Sequence, residues 1–314
     1  MTIIRNAYPK NIEDKDKTIF DIASIYHIKE AKVETFKNCL WNVLLQKRIN
    51  SLGLQIKAVL SLLLFRKGFI YSNKAGWVLD SYSKNYFHWF NDVLPRILHL
   101  KAEFPDHEIL LDNASLKLKF INESITQLGI SYRAIPNHAI LFCKELLFPS
   151  VGTSGIQDPY LFTRLQKLFS TGFNPRKRTR KIFISRQQSG SRKIINYHEV
   201  QDLMANFGFD IILCEKLSFK EQVETFGSAS HLVGVHGAGL TNMMFMQEGS
   251  KILEIRRADD VLNFCYYFMA TSAKLDYYYN LAAGAGKSNV VQEDDLVVDI
   301  LKLADCLTSM LGAK

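Results

Sequence analysis

The stretch GVHGAGLTNMMFM, residues 234–246, places a histidine and two glycines where an apolar, strand-like run gives way to a helix. Gly237 and Gly239 allow backbone N–H groups to come close to an anion. A helix that starts near Ala238 turns its unpaired amides and its positive dipole end toward that anion. A tight turn whose glycines serve only packing is the alternative. Three neighbouring polar residues favour the anion site; they are His236, Thr241 and Asn242.

A second segment suited to anions, SRQQSGSRK, follows another predicted strand and contains Arg186, Arg192 and Lys193. Guanidinium groups bind diphosphate oxygens in pairs and neutralise charge that develops on a leaving group. An exposed basic loop is the ordinary alternative. Because ligands of parallel α/β sheets bind beyond the carboxyl ends of the strands, we expect both segments at the same sheet edge. Their co-location predicts a site for a phosphorylated ligand.

A third candidate is the stretch NYFHWFNDVLPR, which begins at Asn85. As a helix capped by that asparagine, it places His88, Asp92 and Arg96 along one face, since positions four apart adjoin on a helix. Such a His–Asp pair can supply a general base with an orienting partner. A surface pair on a half-buried helix is the alternative, and the pattern alone favours it. Pro95 is expected to end or kink this helix.

The sequence offers no metal site with a trustworthy ligand spacing. The sequence DKD at residues 14–16 lies in a charged N-terminal stretch with no preceding strand, and we interpret it as solvated surface. The acids at residues 293–295 are expected to begin the last helix, where they suit the dipole. The five cysteines occur singly, which indicates reduced, buried thiols rather than a disulfide framework. They are Cys39, Cys143, Cys214, Cys265 and Cys306.

Alternating strand and helix patterns predict two α/β layers. In the C-terminal half, short connections between the elements predict a parallel, Rossmann-like sheet with helices on both faces. Its strands are expected at residues 181–185, 209–214, 231–235 and 251–256, with capped helices from 196 and 218 and an apolar helix through 246. The N-terminal strands are expected at residues 76–80, 108–112, 132–135 and 145–148, with helices at 116–128 and 161–169.

A length of 314 residues exceeds what one hydrophobic core usually supports, so two domains are expected. We place an N-terminal domain at residues 1–172 and a second domain at 173–289, joined by a basic linker. Residues 290–314 are expected to form a C-terminal helix that packs back on the first domain. Residues 33–65 are predicted to form a helical insertion, with a membrane-surface helix as the alternative.

These three segments, in this order, resemble glycosyltransferase family 61, the DUF563-type proteins of bacterial capsular and other polysaccharide loci. The eukaryotic relatives of that family include O-linked sugar transferases of the secretory pathway. The resemblance implies a GT-B fold, in which two Rossmann-like layers face each other across a cleft. It also implies inverting sugar transfer from a nucleotide sugar, with a UDP-sugar as the first expectation, without an obligatory metal or other cofactor. The acceptor would be a saccharide or lipid-linked oligosaccharide in cell-surface polysaccharide synthesis.

The resemblance also assigns roles to the candidate residues. The C-terminal layer would hold the nucleotide sugar and the N-terminal layer the acceptor. Asp92 is the first choice of base, with His88 as its orienting partner, and the reverse assignment stays open. Glu254 would bind the ribose hydroxyls or point to solvent. The remaining candidates would bind the diphosphate (Arg186, Arg192, Lys193, His236, Gly237, Ala238, Gly239, Thr241 and Asn242) or the acceptor sugar (Asn85 and Arg96).

The net charge of +8 suits an anionic partner of any of several classes. A non-catalytic basic module that binds nucleic acid or anionic polysaccharide is therefore the rival, and the three tyrosines at residues 277–279 are its best support. An inactive transferase domain within a larger assembly is a third interpretation. Reduced cysteines and an N-terminus without an apolar signal core predict a cytoplasmic protein. Peripheral contact with the inner face of the membrane is left open.

Overall fold

The computed structural model describes residues 25–34, 69–136, 140–149, 159–170, 178–260, 263–288, 290 and 293–312. The chain divides between residues 154 and 155 into two compact units, here called the N-terminal unit and the C-terminal unit. The predicted helices of residues 33–65 lie outside the described residues, except that residues 33 and 34 belong to a strand. The DKD sequence at residues 14–16 lies outside them as well.

The N-terminal unit contains a five-stranded sheet with the order β1-β5-β2-β3-β4. Strands β2 to β5 are parallel to one another, and β1 pairs antiparallel with β5. The strands are β1 (Ile25–Glu34), β2 (Phe69–Trp77), β3 (Glu108–Asp112), β4 (Tyr132–Ile135) and β5 (Ile140–Pro149). The predicted strands at 108–112 and 132–135 are confirmed, and the prediction at 145–148 falls within the longer β5.

Strand β2 ends earlier than the predicted strand at residues 76–80. Side chains, rather than a neighbouring strand, bind the carbonyl groups that follow it. Arg96 Nη1 donates to the carbonyl of Val78 at 3.0 Å, and Trp77 Nε1 donates to the carbonyl of Leu79 at 2.6 Å. The buried backbone beyond β2 is therefore satisfied without sheet pairing.

Helix α1 comprises Tyr86–His88, a π-helical turn at Trp89–Val93 and Leu94–Glu103. Asn85 caps it as predicted, since its side chain accepts from the Phe87 N–H at 2.9 Å. Of the two outcomes predicted for Pro95, an end or a kink, the first does not occur, because the helix continues to Glu103. It directly follows the π-helical turn, whose wider hydrogen-bond spacing accommodates the missing N–H and the proline ring. Two further helices lie among the described residues of this unit: α2 (Asn113–Leu116) and α3 (Lys119–Gln127).

The C-terminal unit contains a six-stranded sheet with the order β11-β10-β9-β8-β6-β7. Its strands are β6 (Arg180–Ile184), β7 (Asp210–Ile212), β8 (Ala229–Val235), β9 (Lys251–Arg257), β10 (Asp276–Gly284) and β11 (Leu296–Val297). All are parallel except β11, which runs antiparallel to β10. The predicted parallel α/β layer is confirmed. The tyrosines at 277–279 belong to β10, and Tyr277 and Tyr278 are buried.

The strand order reverses between β6 and β8, which are neighbours in the sheet. The first crossover from β6 leads outward to β7, and the next strand, β8, returns to the opposite side of β6. In doubly wound sheets such a switch point opens a crevice beyond the carboxyl ends of the two strands, where ligands bind. The loops that leave this point are the basic segment after β6 and the glycine turn after β8.

Helices cover both faces of this sheet, as predicted. They are α4 (Pro159–Ser170), α5 (Tyr197–Asn206), α6 (Phe219–Gly227), α7 (Cys265–Ser272) and α8 (Ile300–Leu311). The capping box of α6 is confirmed by reciprocal bonds between Ser218 and Glu221. The capping box predicted for α5 is wrong, because the Asn196 side chain bonds the backbone of Val298 instead.

Three further features differ from those predicted. Helix α4 belongs to the C-terminal unit rather than to the first domain, because Phe169 packs against Phe219 and Phe245 there. The unit boundary therefore precedes α4 instead of following it at residue 172. Helix α8 starts at residue 300 with Asp299 as its cap, and it packs on this unit's own sheet. The apolar helix after Gly237 is a 3₁₀ segment, Ala238–Phe245.

The acids at residues 293–295 do not begin a helix. Asp294 accepts from the backbone N–H groups of Gly286 and Lys287, at 3.0 and 2.9 Å. Aspartate satisfies loop amides as readily as helix amides, which is why the charge pattern alone was misleading. Among the described residues, no helix has the length and apolar character needed to span a bilayer.

Candidate functional site

The turn after β8 touches the loop after β6 through Arg186. A Cβ atom added at Gly237 would lie 2.3 Å from Arg186 Nη1 and 2.9 Å from its Cζ. The glycine therefore leaves the space in which the guanidinium lies directly on the turn. Gly239 allows close packing, because a Cβ atom at this position would lie 3.1 Å from Ile184 Cγ2.

Arg192 reaches the same turn from the far end of the basic loop. Its Nη1 donates to the carbonyl of His236 at 3.0 Å. Its backbone adopts φ 56°, a left-handed conformation that is costly for a residue with a side chain. The loop that carries both arginines is closed by a bond of 3.3 Å from Arg186 Nη2 to the carbonyl of Ser191. Two cationic side chains thus converge on the turn at the switch point.

Neither arginine has an anionic partner in the described part of the chain. No carboxylate lies within ion-pair distance of Arg186 or Arg192 there. The Nε atoms of both side chains are buried and without a hydrogen-bond acceptor among these residues. Burial, followed by repulsion from Arg192, lowers the pKa of Arg186 to about 10. Although Glu215 acts on Arg186 from beyond ion-pair distance, the site holds positive charge that no ion pair among these residues neutralises, and a bound anion would relieve it.

Beneath the turn, His236 is held by a buried hydrogen-bonded network. Its Nδ1–H donates to Glu254, which also accepts from the Tyr277 hydroxyl. The Asn263 amide donates to Nε2 at 3.0 Å, and the same side chain accepts from the backbone N–H of Cys265 at 3.4 Å. This pattern describes a neutral imidazole with its proton on Nδ1. Both ring nitrogens therefore have partners within the fold.

Glu254 is 1% exposed and its two oxygens are occupied, so the structure presents it to His236 rather than to a ribose. Burial on its own would raise its pKa. His236, Arg256 and Tyr277 outweigh burial and hold the pKa of Glu254 below its ordinary value. The carboxylate is therefore ionised at neutral pH and fixes the orientation of the His236 ring. Solvent, the other alternative that the sequence left open, does not reach it.

The remaining residues of the turn and loop have structural contacts. Asn242 is buried, and its amide donates to Gln222 Oε1 at 3.0 Å. Thr241 is also buried, and its hydroxyl has no hydrogen-bond partner among the described residues. The backbone N–H of Lys193 donates to Asp295 Oδ1 at 2.8 Å. Ala238 opens the 3₁₀ segment, where the first amides have no acceptor inside the helix. Their contacts with a diphosphate stay predictions.

In the N-terminal unit, His88 and Asp92 form the pair that their spacing predicts. His88 Nδ1 lies 2.7 Å from Asp92 Oδ2, and Asn91 Nδ2 donates to Asp92 Oδ1 at 2.6 Å. Asp92 is 3% exposed, whereas the His88 side chain is 23% exposed. Within the described residues, His88 Nε2 has no hydrogen-bond partner. The atom free to take a proton is therefore on the histidine, and Asp92 orients it.

Arg96 is not grouped with that pair, although the helical spacing placed it on the same face. It is 7% exposed, and its Nη1 donates to Asp80 Oδ2 at 2.7 Å. Although burial opposes the shift, Arg96 holds the pKa of Asp80 below its ordinary value. The side chain of Asn85 caps α1. Both residues shape the N-terminal unit, and their contacts with an acceptor stay predictions.

Sequence reasoning missed Asp80, Asn91, Asn263, Tyr266 and Tyr277. The sequence contains one indication of the role of Asn91, which is a polar residue beside Asp92 in an apolar run. Neighbours in an ordinary α-helix do not face each other, so this signal gains meaning only from the π-helical turn. Among the described residues, no group of three or more His, Cys, Asp and Glu side chains could hold a metal ion.

Comparisons with known proteins identify relatives of known type. A family model for glycosyltransferase 61 matches residues 86–253. Alpha-1,3-arabinosyltransferase XAT2 of Oryza sativa subsp. japonica is 23% identical over 210 residues, which cover 57% of this chain and 35% of that protein. Beta-1,2-xylosyltransferase XAX1 of the same organism is 34% identical over 85 residues, 27% of this chain and 15% of its own length.

A third relative, the EGF domain-specific O-linked N-acetylglucosamine transferase of Drosophila melanogaster, is 30% identical over 123 residues. These cover 38% of this chain and 24% of that protein. The chain thus matches about a third or less of the length of these relatives. All three names describe glycosyltransferases, which agrees with the family that the motifs resemble.

The expected cytoplasmic location is wrong. The relatives are rice and fruit-fly enzymes, and one is named for EGF domains, which are disulfide-rich modules of secreted proteins. The contact expected with the inner face of the cytoplasmic membrane is overturned with it. The described cysteines are free, and Cys143 and Cys306 are buried. Buried cysteines act as small apolar residues in packing, so their presence does not indicate a cellular compartment. Because the family model spans more than half of the chain, the protein belongs to glycosyltransferase family 61.

Proposed function

We propose that the protein transfers a sugar from a nucleotide sugar to a saccharide acceptor, free or lipid-linked, in cell-surface polysaccharide or oligosaccharide synthesis. The observation that carries the proposal is the pair Arg186 and Arg192, which meets the Gly237 turn at the switch point of a parallel sheet and has no carboxylate partner among the described residues. Partly buried cationic groups without an ion-pair partner in a ligand crevice are typical of sites for multiply charged anions. A nucleoside diphosphate has the charge that such a site lacks.

The C-terminal unit would hold the diphosphate of the donor. Arg186 and Arg192 would bind its oxygens, with amides at the start of the 3₁₀ segment as further donors. As the bond between the anomeric carbon and the diphosphate breaks, its electron pair stays on the leaving oxygen. The two guanidinium groups would stabilise that charge, as a divalent cation does in other transferases. The proposed metal independence rests on this pair of cations.

The His88–Asp92 pair would activate the acceptor. His88 Nε2 would take the proton of an acceptor hydroxyl, whose oxygen then attacks the anomeric carbon. Asp92 would stabilise the imidazolium that forms, through the Nδ1–H bond that already exists. Both oxygens of Asp92 are occupied, so a single displacement with inversion suits this pair better than attack by the carboxylate. This assignment makes His88 the base, whereas Asp92 was the first choice predicted from the sequence.

The proposed architecture is of the GT-B type, in which separate Rossmann-like units bind donor and acceptor. The parallel sheet of the C-terminal unit, with its reversal between β6 and β8, supports a donor-binding role. The four parallel strands of the N-terminal unit support a second unit of related construction.

A thermal-shift experiment with nucleotides tests the donor part. We expect UDP, or another nucleoside diphosphate, to raise the unfolding temperature equally with and without EDTA. Arg186→Gln and Arg192→Gln should each reduce this shift. Arg180→Gln is the matched control, because Arg180 lies in the same unit and pairs with Asp210 on the surface. The donor proposal is wrong if UDP, GDP and CMP all leave the unfolding temperature unchanged.

A transfer assay tests the reaction. The donors are UDP-xylose, UDP-arabinose and UDP-N-acetylglucosamine, chosen from the transferred sugars that the relatives' names contain. The acceptors are aryl glycosides and xylo-oligosaccharides. The anomeric configuration of the product, followed by NMR, separates inversion from retention. A product with the donor's configuration would contradict the single displacement.

A further inference from the structure

An exposed aromatic ring lies beside the proposed base. Tyr82 is 65% exposed, and its ring centroid is 5.1 Å from that of His88, with the ring planes tilted by 33°. Phe87 contacts the His88 ring from another direction, at 5.2 Å, and is buried. The imidazole therefore has one aromatic neighbour inside the fold and one that presents its surface to solvent.

The turn that carries Tyr82 is fixed by hydrogen bonds. The Tyr82 N–H donates to Asp80 Oδ1 at 2.9 Å, and the Tyr82 carbonyl accepts from the Asn85 N–H at 2.8 Å. Ser83 Oγ bonds Asp80 twice, accepting from its N–H at 2.7 Å and donating to Oδ1 at 3.0 Å. This turn leads directly into the first residue of α1.

The turn is anchored from below by a buried cation. Arg96 Nη1 bonds Asp80 Oδ2 at 2.7 Å and the Val78 carbonyl at 3.0 Å. One buried arginine thus holds the end of β2 and the turn that follows it. An apolar ring kept in water on an ordered turn forgoes the stabilisation of burial, which a ligand that covers the ring would restore.

We propose that Tyr82 is the platform on which a sugar ring of the acceptor stacks, so that a hydroxyl of that sugar lies at His88 Nε2. A pyranose has an apolar face of C–H groups and an edge of hydroxyls. The Tyr82 ring stacks on the apolar face, and His88 bonds a hydroxyl of the edge. Arg96 and Asp80 act through Tyr82 and are positioning residues. This inference rests on the proposed function and specifies the acceptor as a saccharide rather than a peptide hydroxyl.

The test compares three variants in the transfer assay with aryl glycosides and xylo-oligosaccharides. Tyr82→Ala should raise the acceptor KM about tenfold, the effect of losing one ring contact. Its kcat at saturating acceptor should stay near that of the wild type, because the lost contact binds ground state and transition state alike. Tyr82→Phe keeps the ring and should keep the wild-type KM. Tyr71→Ala removes another exposed tyrosine of this unit and is the control.

Three outcomes separate this inference from the proposed function. If the wild type transfers sugar to glycosides and Tyr82→Ala leaves the acceptor KM unchanged, the platform is refuted and the transferase stands. Transfer to a folded EGF domain but to no saccharide would refute the saccharide acceptor. If the wild type neither binds a nucleoside diphosphate nor transfers sugar, the proposed function itself fails. Asp80→Asn, which loosens the turn, should raise the acceptor KM in the same direction as Tyr82→Ala without altering the UDP shift.

Discussion

Replacing Gly237 by alanine adds one carbon atom at the point where Arg186 lies on the turn. The new Cβ would lie 2.3 Å from Arg186 Nη1. Ordinary contact between such atoms needs roughly 3.5 Å, so the guanidinium must move by about 1 Å. The Arg186 side chain is flexible at its end and can give way, but any side chain at residue 237 also strains the backbone there, which has φ 158°. The substitution therefore moves the guanidinium group of Arg186 without removing its positive charge.

A displacement of that size breaks the bonds that Arg186 would make to a diphosphate, because hydrogen-bond lengths vary by only about 0.5 Å. A charge-assisted hydrogen bond contributes roughly 1.5–3 kcal/mol. Gly237→Ala should therefore weaken UDP binding roughly 10- to 150-fold. Isothermal titration calorimetry measures the Kd directly. Gly190→Ala is the matched control, since a Cβ in that loop meets nothing within 4 Å.

A double-mutant cycle decides whether the effect passes through Arg186. In the Arg186→Gln background the guanidinium is absent, so adding Gly237→Ala should change the Kd little. Additive losses would mean that the glycine acts independently, through the backbone amides of the turn. Wild-type affinity in Gly237→Ala would refute the placement of the diphosphate at this turn.

Three further predictions concern the other ionised groups. His88→Ala should reduce kcat roughly 10²- to 10⁴-fold in the transfer assay. Asp92→Asn should reduce kcat less, because the amide oxygen still orients the His88 ring. A larger reduction of kcat in Asp92→Asn than in His88→Ala would make Asp92 the base. The fold lowers the pKa of Asp80, so its pair with Arg96 stabilises the protein above the ordinary carboxyl pKa of about 3.9, and this stabilisation is lost as the pH falls further. Asp80→Asn should therefore flatten the pH dependence of the urea midpoint between about pH 6 and about pH 3. Arg186→Gln should raise the unfolding temperature of the ligand-free protein, because it removes a partly buried cation that Arg192 repels. A large decrease would indicate a purely structural arginine.

Periodicity and capping patterns predicted the elements that carry the site. The spacing of His88 and Asp92 correctly predicted a bonded pair, because side chains four apart adjoin on any helix. The strand and glycine pattern around Gly237 correctly predicted a turn at the edge of a parallel sheet. These features depend on local sequence, and local sequence is what such patterns record.

The contacts that give the residues their roles depend on tertiary structure. Nothing near Glu254 in sequence indicates that Tyr277, on the neighbouring strand, takes one of its oxygens. The spacing of Arg96 suggested a place beside Asp92, yet its long side chain turns to Asp80 at the end of β2. The periodic position of a charged residue indicates which helix or strand carries it. It does not indicate which residue the side chain bonds, because that partner lies far away in the sequence.

The distribution of charge in the C-terminal unit indicates where its ligand binds. The buried acids of this unit are paired inside the fold: Glu254 with His236, and Asp294 with Arg257 at 2.9 Å. Arg186 and Arg192 break this pattern, although they adjoin each other and repel. Unpaired buried charge costs stability and persists where function requires it. Among the described residues these acids have partners and the two arginines have no ion pair, which supports the proposal that a ligand, the diphosphate of a nucleotide sugar, brings negative charge to the switch point.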